Sequence, residues 1–405
     1  MSDARTTLAG SLRAAAPSSD VGEALAPDAP VQATLVLRRR AEPPAEAFTG
    51  PALSPAELAE RYGADPEELA GVVRAVSDAG LEVVRSDAAS RRVRVRGRSE
   101  AMSALFGTTL RAAAGGAAGS RRREGELSLG PDLAGPLVAV LGLDDRPQAD
   151  VRFRRAARAD ATGFTPLQLA TAYDFPAGTG AGRTIALIEL GGGFGQDDLD
   201  TYFGGLGLAS PTVTAVPVDG ATNQAGQDPD GADGEVLLDI EVAGAVAPQA
   251  DVLVYFAPNT DDGFVDAISD AAHASPAPTA ISISWGQSED QWTAQGRSAM
   301  DAAIADAVLV GATVTVAAGD SGSSDAAAGS TPHVDFPASS PHALACGGTS
   351  LTLDASGAVA SETVWNDGGQ GGSTGGGVSD EFATPDWQAN AGVPPRDVSG
   401  GKAGR

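Results

Sequence analysis

Residues 233–248 have the sequence DGEVLLDIEVAGAVAP, which predicts a single helix. Asp233 is a suitable N-cap, and Pro248 is a suitable stop signal. Glu235 and Asp239 are four residues apart, so their carboxylates lie on one face of this helix. Most neighbouring residues are apolar, and burial makes two adjacent negative charges costly. Such a pair is either kept in water on a solvated helix face or used for chemistry.

The segments on both sides of this helix alternate between buried-type strands and further helices. Strands are predicted at residues 184–190, 251–256, 280–285, 313–318 and 343–346, and helices near residues 197–205, 262–274 and 297–309. This alternation favours an α/β fold with a doubly wound parallel sheet. Functional side chains of such sheets gather at the carboxyl ends of the strands. The sequence places Glu189, the tripeptide Ser284-Trp285-Gly286 and Asp320 at those ends.

The first part of the chain has a different pattern. Residues 1–30 are rich in Ala, Ser and Pro and predict disorder, whereas residues 31–145 predict a small α+β domain. Ser54-Pro55 and Asp65-Pro66 are typical helix starts. Residues 146–163 form a basic, alanine-rich linker, which is either a site of proteolytic cleavage or a plain tether.

Charge is distributed unevenly along the chain. Residues 1–160 hold 22 Lys and Arg and 22 Asp and Glu, whereas residues 161–405 hold 5 and 31, so the second part carries the whole net charge of −26. This asymmetry predicts two modules. The acidic module is unsuited to nucleic acid or anionic membranes, so neither is expected as a partner. The acidity of this module either serves solubility alone or indicates a protein that operates at low pH.

Cysteine, hydropathy and histidine patterns exclude several classes of protein. Cys346 is the single cysteine, so no internal disulfide is possible. No apolar run is long enough for a membrane span, and the N-terminus shows no ordinary signal peptide. No metal-ligand spacing or subtilisin-type catalytic setting surrounds the three histidines, His273, His333 and His342.

Three motifs are candidates for chemistry. The pair Glu235 and Asp239 shares a proton, which suits a general base that works in acid. Asp320, in a Gly-Asp-Ser-Gly sequence, is either a hydrogen-bond donor to a ligand or an ordinary cap. Ser350, in a Gly-Gly-Thr-Ser sequence, precedes residues that predict a strand and a turn instead of a helix, so it is interpreted as structural.

Several of these segments together resemble the sedolisins, the serine-carboxyl peptidases, and in particular their kumamolisin-like branch. The matching segments are residues 234–248, 254–260, 282–286, 317–322, 333–338 and 363–368. The resemblance implies a subtilisin-like doubly wound parallel sheet preceded by a small ferredoxin-like α+β prodomain. Residues 31–145 would be this activation prodomain, residues 146–163 the maturation linker, and residues 164–405 a peptidase domain that is incomplete at its C-terminal end.

The resemblance also implies roles for individual residues. Glu235 would be the general base, Asp239 the acid that orients it, and Asp320 the donor of the oxyanion hole. Substrate-binding positions would be Asp335, Trp285 and Gly286, and Glu189 would support the catalytic pair. The implied activity is acid endopeptidase cleavage through an acyl-enzyme. The resemblance also implies protein or peptide substrates, the prodomain as intramolecular inhibitor, a monomeric state and an extracellular location.

The resemblance places the family's nucleophilic serine and its Ca²⁺ ligands later than residue 405. We therefore expect this 405-residue chain to be inactive and to bind no Ca²⁺. An alternative is a catalytically dead homologue that acts as a binding or inhibitory module. A glycosidase with a carboxylate pair ranks lower, because the chain has only four Trp and four Tyr for the aromatic platforms that sugar clefts use.

Overall fold

The computed structural model describes residues 5–13, 21–113, 120–151, 163–327 and 331–393. The strands are β1 (Thr6–Thr7), β2 (Val21–Ala24), β3 (Pro30–Leu37), β4 (Glu82–Asp87), β5 (Arg92–Arg98), β6 (Arg111–Ala113), β7 (Arg121–Arg122), β8 (Ser128–Leu129), β9 (Leu137–Leu141), β10 (Asp150–Val151), β11 (Thr184–Glu189), β12 (Thr212–Pro217), β13 (Asp251–Phe256), β14 (Ala280–Ile283), β15 (Trp285–Ser288), β16 (Thr313–Ala317), β17 (Asp335–Phe336), β18 (Leu344–Cys346), β19 (Thr349–Leu353) and β20 (Val359–Val364). The helices are α1 (Pro55–Tyr62), α2 (Pro66–Asp78), α3 (Ser99–Phe106), α4 (Pro131–Ala134), α5 (Pro166–Ala172), α6 (Gln196–Gly205), α7 (Ala232–Val246), α8 (Asp261–Ala272), α9 (Ala294–Leu309) and α10 (Gly368–Gly371).

The chain forms two compact units. The first contains Met1–Gln148, Asn259–Ser275 and Trp292–Gly311, and the second contains Ala149–Pro258, Pro276–Gln291 and Ala312–Arg405. Helices α8 and α9 therefore belong to the same unit as the N-terminal region, although they follow it by more than a hundred residues in sequence.

A four-stranded antiparallel sheet forms the centre of the first unit, with the strand order β4-β5-β3-β9. Its buried face includes Leu35, Val93 and Val95, which pack in a core with Met102 and Phe106 of α3. The predicted helix starts are confirmed. Ser54 caps α1 in a capping box, and the carboxylate of Asp65 accepts hydrogen bonds from the first backbone N–H groups of α2.

Within residues 1–30 the structure differs from the expected disorder. Strand β1 pairs with β8, strand β2 pairs with β6, and Leu8 is buried in the core. The N–H of Leu8 donates to the carbonyl of Leu127 at 2.8 Å. The apolar side chain of Leu8 thus ties down a segment whose composition alone predicted no structure.

A six-stranded parallel sheet forms the centre of the second unit, with the strand order β12-β13-β11-β14-β16-β18. This sheet confirms the predicted α/β class. The sequence did not predict β12, an edge strand with exposed Thr and Ala residues. The strand predicted at residues 280–285 is too long, because β14 ends at Ile283, where the chain leaves the sheet. Trp285 begins β15, which pairs antiparallel with β10 and β17.

Helix α7, the stretch at residues 232–246, packs in the second core through Val236 and Ile240. Gly244 allows close contact with α6, since a Cβ atom there would lie 2.7 Å from the ring of Phe203. The predicted N-cap is wrong. Asp233 lies within the first turn, and the carboxylate of Asp228 accepts a hydrogen bond from the N–H of Ala232 instead.

Some predicted features lie outside the described residues. The linker arginines Arg152, Arg154, Arg155 and Arg158 are among them. A membrane span needs a helix of about 20 mostly apolar residues, and the helices within the described ranges include none of that kind.

Candidate active site

One edge of the parallel sheet, in the second unit, collects acidic side chains. Glu189 ends β11, Ser284 follows β14, and Asp320 follows β16 closely. Because the strands are parallel, their carboxyl ends meet at this edge. Helix α7 adds Glu235 and Asp239, whose spacing of four residues turns both carboxyl groups to the same side.

Glu235 is nearly inaccessible, with 2 % of its surface exposed, and its Oε2 has no hydrogen-bond partner. Burial, together with the charges of Asp239 and Asp320, raises the pKa of Glu235 to about 9. Burial also raises the pKa of Asp239, to about 6. The hydroxyl of Ser284 donates to the carboxylate of Asp239, at 3.0 Å from Oδ1 and 2.9 Å from Oδ2.

Glu189 lies beside this pair and is fully buried. The indole Nε1 of Trp285 donates to its Oε2 at 2.9 Å, while Oε1 has no partner. Burial and the charges of Asp239 and Glu235 hold the pKa of Glu189 well above its ordinary value, against the lowering effect of the indole hydrogen bond. The structure thus places three carboxyl groups together, and no ion pair with a described Lys, Arg or His involves any of them.

Asp320 is held by the segment at residues 368–377, whose glycine-rich composition favours a flexible loop. The N–H of Ser373 donates to the carbonyl of Asp320 at 3.0 Å, and the N–H of Gly375 donates to the carbonyl of Gly319 at 2.8 Å. A Cβ atom at Gly375 would overlap the carbonyl of Ala318. Glycine therefore allows the two backbones to meet, and this contact fixes the backbone of Asp320 next to the carboxyl cluster.

Asp335 lies on β17 and is buried. Its carboxylate lies against Gly286, where a Cβ atom would overlap Oδ1. Asp335 also lines a cavity of about 380 Å³, together with Phe382 and Trp387. The combination of a buried carboxylate and aromatic walls suits an extended side chain with a cationic end.

The beginning of the linker lies along the neighbouring strand of the same unit. Asp150 pairs with Gly286 and Val151 pairs with Trp285, in antiparallel register. Two of the candidate substrate-binding residues thus contact an extended segment of the chain itself through their backbone. Such pairing is a common way to bind an extended peptide.

Ser350 has the structural position that the sequence predicted. It lies on β19, pairs with Thr363 of β20, and is exposed. Among the described residues, the hydroxyl that contacts the carboxyl pair belongs to Ser284. A signal for this serine is present in the sequence, because Ser284 lies at the end of a predicted central strand, but residue spacing alone assigns it no partner.

Asp228, Asp230 and Asp233 are spaced as in a calcium-binding loop, but no Glu lies at the required offset. In the structure, Oδ2 of Asp233 accepts a hydrogen bond from the N–H of Asp228 at 2.7 Å. No cluster of three His, Cys, Asp or Glu side chains arranged for a metal ion occurs in the described ranges. No chemical step is therefore assigned to a metal.

Comparisons with known proteins agree with this architecture. The family model described as "Pro-kumamolisin, activation domain" matches residues 18–146. Kumamolisin from Bacillus sp. (strain MN-32) is 43% identical, in an alignment that covers 99% of this chain and 77% of the relative. Sedolisin from Pseudomonas sp. (strain 101) is 33% identical over 64% of this chain and 48% of the relative.

A solved structure of Pseudomonas sedolisin, a serine-carboxyl proteinase complexed with two molecules of pseudo-iodotyrostatin, superimposes with a TM-score of 0.53. It is 31% identical and covers 59% of this chain and 69% of that structure. This chain thus spans about three quarters of kumamolisin and about half of sedolisin. The extent of the match to kumamolisin, the activation domain and the parallel sheet together show that the chain belongs to the sedolisin family, on its kumamolisin-like branch.

Proposed function

We propose that this chain is the precursor of an acid endopeptidase that hydrolyses proteins or peptides through an acyl-enzyme. The observation that carries the proposal is the pair of buried Glu235 and half-buried Asp239 beside Asp320, which forms no ion pair with a described cation. In this proposal Glu235 is the general base, Asp239 orients it, and Asp320 donates to the oxyanion of the tetrahedral intermediate. Trp285, through its bond to Glu189, keeps the cluster in place.

The protonation of Glu235 supports a second part of the proposal, that the 405-residue chain alone is inactive. A general base must be ionised, but burial and the charges of Asp239 and Asp320 raise the pKa of Glu235 to about 9, against the lowering effect of a hydrogen bond from Ser284. A serine hydroxyl placed against Oε2 would favour the ionised form and would also be the nucleophile. Ser350 is exposed on β19, so it is not proposed for this role.

The N-terminal domain at residues 31–145 is proposed to be the inhibitory activation domain, joined by the linker at residues 146–163 to a peptidase domain at residues 164–405. The pairing of Asp150 and Val151 with β15 supports this assignment, because an extended segment on the substrate-binding strand excludes a substrate. Asp335, at the wall of its cavity, is proposed to select a basic side chain. An extracellular location, a monomeric state and the family's Ca²⁺ requirement are carried over from the family.

A chimera tests the catalytic assignment. The C-terminal part of kumamolisin that has no counterpart in this chain is fused after residue 405, and cleavage of a denatured protein is measured at pH 3–5. We expect activity from the chimera and none from the 405-residue chain. Glu235→Gln is expected to lower the activity of the chimera by about 10² to 10⁴-fold.

The matched control for this experiment is Glu241→Gln, on the same helix but outside the cluster, which is expected to keep the activity. A chimera that cleaves its substrate equally well with Glu235→Gln would contradict the assignment of the base. Sustained cleavage by the 405-residue chain, lost on Glu235→Ala, would contradict the inactivity.

The second candidate is a non-catalytic binding or inhibitory module. Its supporting observation is that the described part of the chain already forms two compact units. Thermal unfolding of the 405-residue chain, followed by circular dichroism, tests this candidate. A cooperative transition is required by the module, so its absence would count against this second candidate.

A further inference from the structure

Ser284 occupies a position that the proposed mechanism does not use. It follows β14 directly, and its half-buried hydroxyl lies at hydrogen-bonding distance from both oxygens of Asp239. A serine hydroxyl carries one hydrogen, so it can stabilise the negative charge of one carboxylate at a time. The same hydroxyl also lies within reach of Glu235 and lowers its pKa.

The acidic groups around Ser284 do not decide how the charge is divided between Glu235 and Asp239, and the neutral donor Trp285 acts on Glu189. Glu189 at the end of β11 and Asp320 near the end of β16 are acidic, as are Glu235 and Asp239 of α7. Each of these carboxyl groups disfavours a negative charge on its neighbours. With no ion pair to a described cation at Glu189, Glu235 or Asp239, a neutral donor is the remaining means of placing a charge within the cluster.

We propose that Ser284 is a positioning residue whose hydroxyl places the negative charge on Asp239 and so leaves the shared proton on Glu235. This inference rests on the proposed function only where it assigns a role in catalysis. The contact between Ser284 and Asp239 lies entirely within the described residues.

The geometry distinguishes the two carboxyl groups. The hydroxyl of Ser284 lies 3.0 Å from Oδ1 and 2.9 Å from Oδ2 of Asp239, whereas Oε2 of Glu235 has no hydrogen-bond partner. Burial raises the pKa of both groups, and a hydrogen bond from Ser284 opposes the rise at each of them. A hydrogen bond to the charged form of a carboxyl group favours that form.

The arrangement also offers a way to activate the base. The hydroxyl hydrogen turns about the Cβ–Oγ bond of Ser284, so it can point to Asp239 or to Glu235. When it points to Glu235, the proton passes to Asp239 and Glu235 becomes the ionised partner. No atom is gained or lost in this exchange, because one proton moves between two carboxyl groups and one hydroxyl turns.

The test measures the protonation of both groups directly. The full chain is labelled with ¹³C at the side-chain carboxyl groups of Asp and Glu, and the NMR signals are followed from pH 3 to pH 10. Glu235→Gln and Asp239→Asn assign the two signals. In Ser284→Ala we expect the midpoint of Asp239 to rise by about 1 pH unit or more, since one hydrogen bond to a charged group is lost.

Two further variants keep this test decisive. Ser284→Cys offers a weaker donor, and we expect a midpoint between those of the wild type and Ser284→Ala. Ser288→Ala is the matched control, because Ser288 is a buried serine on β15 whose hydroxyl donates to Asp290. We expect it to leave the Asp239 midpoint unchanged.

An Asp239 midpoint that stays at its wild-type value in Ser284→Ala and in Ser284→Cys would overturn the proposal. Covalent labelling of Ser284 by a serine-directed phosphonylating reagent would also overturn it, because Ser284 would then be a nucleophile. The titration needs no peptidase activity. An inactive chimera would therefore argue against the proposed function and leave this inference standing.

Discussion

Two groups of largely buried acidic residues in this protein have opposite surroundings. In the second unit, Glu189, Glu235 and Asp239 lie together with hydrogen-bond donors but without an ion pair to a described cation. In the first unit, four acidic residues of α8 and α9 are paired with arginines of the N-terminal domain. We call these the carboxyl cluster and the arginine-paired cluster, the latter consisting of Asp262, Asp266, Asp270 and Asp306 with Arg39, Arg85, Arg91, Arg92 and Arg94.

Asp306 shows the difference most clearly. It is completely buried, as Glu189 is, but Arg39 Nη1 lies 2.6 Å from its Oδ1 and Arg91 Nη1 lies 2.8 Å from its Oδ2. Asp266 likewise accepts from Arg92 at 2.5 Å and from Arg94 at 3.0 Å. Cations favour the ionised form of a buried carboxyl group, whereas their absence favours the protonated form. Burial alone therefore does not decide the charge of an acidic residue.

The largest expected effect comes from breaking the arginine-paired cluster. Asp306→Asn leaves Arg39 and Arg91 buried beside a neutral amide, which is expected to destabilise the first unit by about 3–5 kcal/mol. Hydrogen exchange of α8 and α9 in the full chain, measured by mass spectrometry, reports this loss separately from the second unit.

The control for Asp306→Asn is Glu68→Gln, which removes the partly exposed pair of Arg38 and Glu68 from the same unit. It is expected to have a much smaller effect, because water screens an exposed ion pair. Equal effects of the two variants would show that burial of the Asp306 pairs does not matter, and the comparison of the two clusters would fail.

A change of pH is expected to affect the stability provided by the carboxyl cluster and by His273 of the first unit in opposite directions. Folding raises the pKa of Glu235 from 4.5 to about 9 and that of Asp239 from 3.8 to about 6. The folded second unit thus holds more protons than the unfolded chain, and its stability is full in acid and falls as the pH rises through this range. Protection of α7 against hydrogen exchange, corrected for intrinsic rates, should increase from pH 8 to pH 5.

The first unit contains a titratable group, His273, whose effect on stability changes with pH in the opposite direction. Burial lowers the pKa of His273 on α8, against the attraction of Asp306, and the positive charges of Arg91 and Arg92 act in the same direction as burial. The folded state therefore binds fewer protons than the unfolded chain, so stability is present above pH 6.5 and is lost as the pH falls below it. The contribution of His273 to the protection of α8 and α9 should therefore decrease in the range where the protection of α7 increases. Asp261 at the start of α8, whose pKa burial raises to about 6, contributes in the opposite direction. Equal slopes for the three helices would contradict this prediction.

A smaller effect is expected from removing the histidine of this region. The Nε2 atom of His273 lies 3.8 Å from Oδ2 of Asp306. His273→Gln cannot gain a proton, so it should weaken the acid-induced loss of protection in α8 and α9 without abolishing it. The control is His333→Gln, a histidine of the second unit, which should leave α8 and α9 unchanged. An acid response identical to that of the wild type would exclude His273 as a contributor.

The smallest effect is expected in the carboxyl cluster. Glu189→Gln replaces a protonated carboxyl group by an isosteric amide, whose oxygen still accepts from Nε1 of Trp285. The free energy of unfolding of the second unit, measured at pH 5, should change by no more than about 1 kcal/mol. A loss as large as that of Asp306→Asn would show that Glu189 is ionised in the folded protein.

The carboxyl ends of the strands could be predicted from the sequence because buried strands and helix starts leave local patterns. Glu189, Trp285 and Asp320 were found in this way, and the pair Glu235 and Asp239 was found from its helical spacing. The contact of Ser284 with Asp239 joins residues 45 positions apart, and no local pattern encodes it. The composition of the glycine-rich segment favours a flexible loop. Its backbone contacts to residues 319–322 cannot be predicted from that composition, because they join distant parts of the chain.

By itself, the sequence determined the α/β class of the second unit and the face of α7 that carries two carboxylates, because periodicity and capping depend on neighbouring residues. The tertiary structure decided which buried acids hold a proton. Asp306 has two arginines from the far end of the chain, whereas Glu235 has a serine hydroxyl and other acids nearby. Charge in a protein interior depends on the nearest donors and cations, and these come from segments that only the fold brings together.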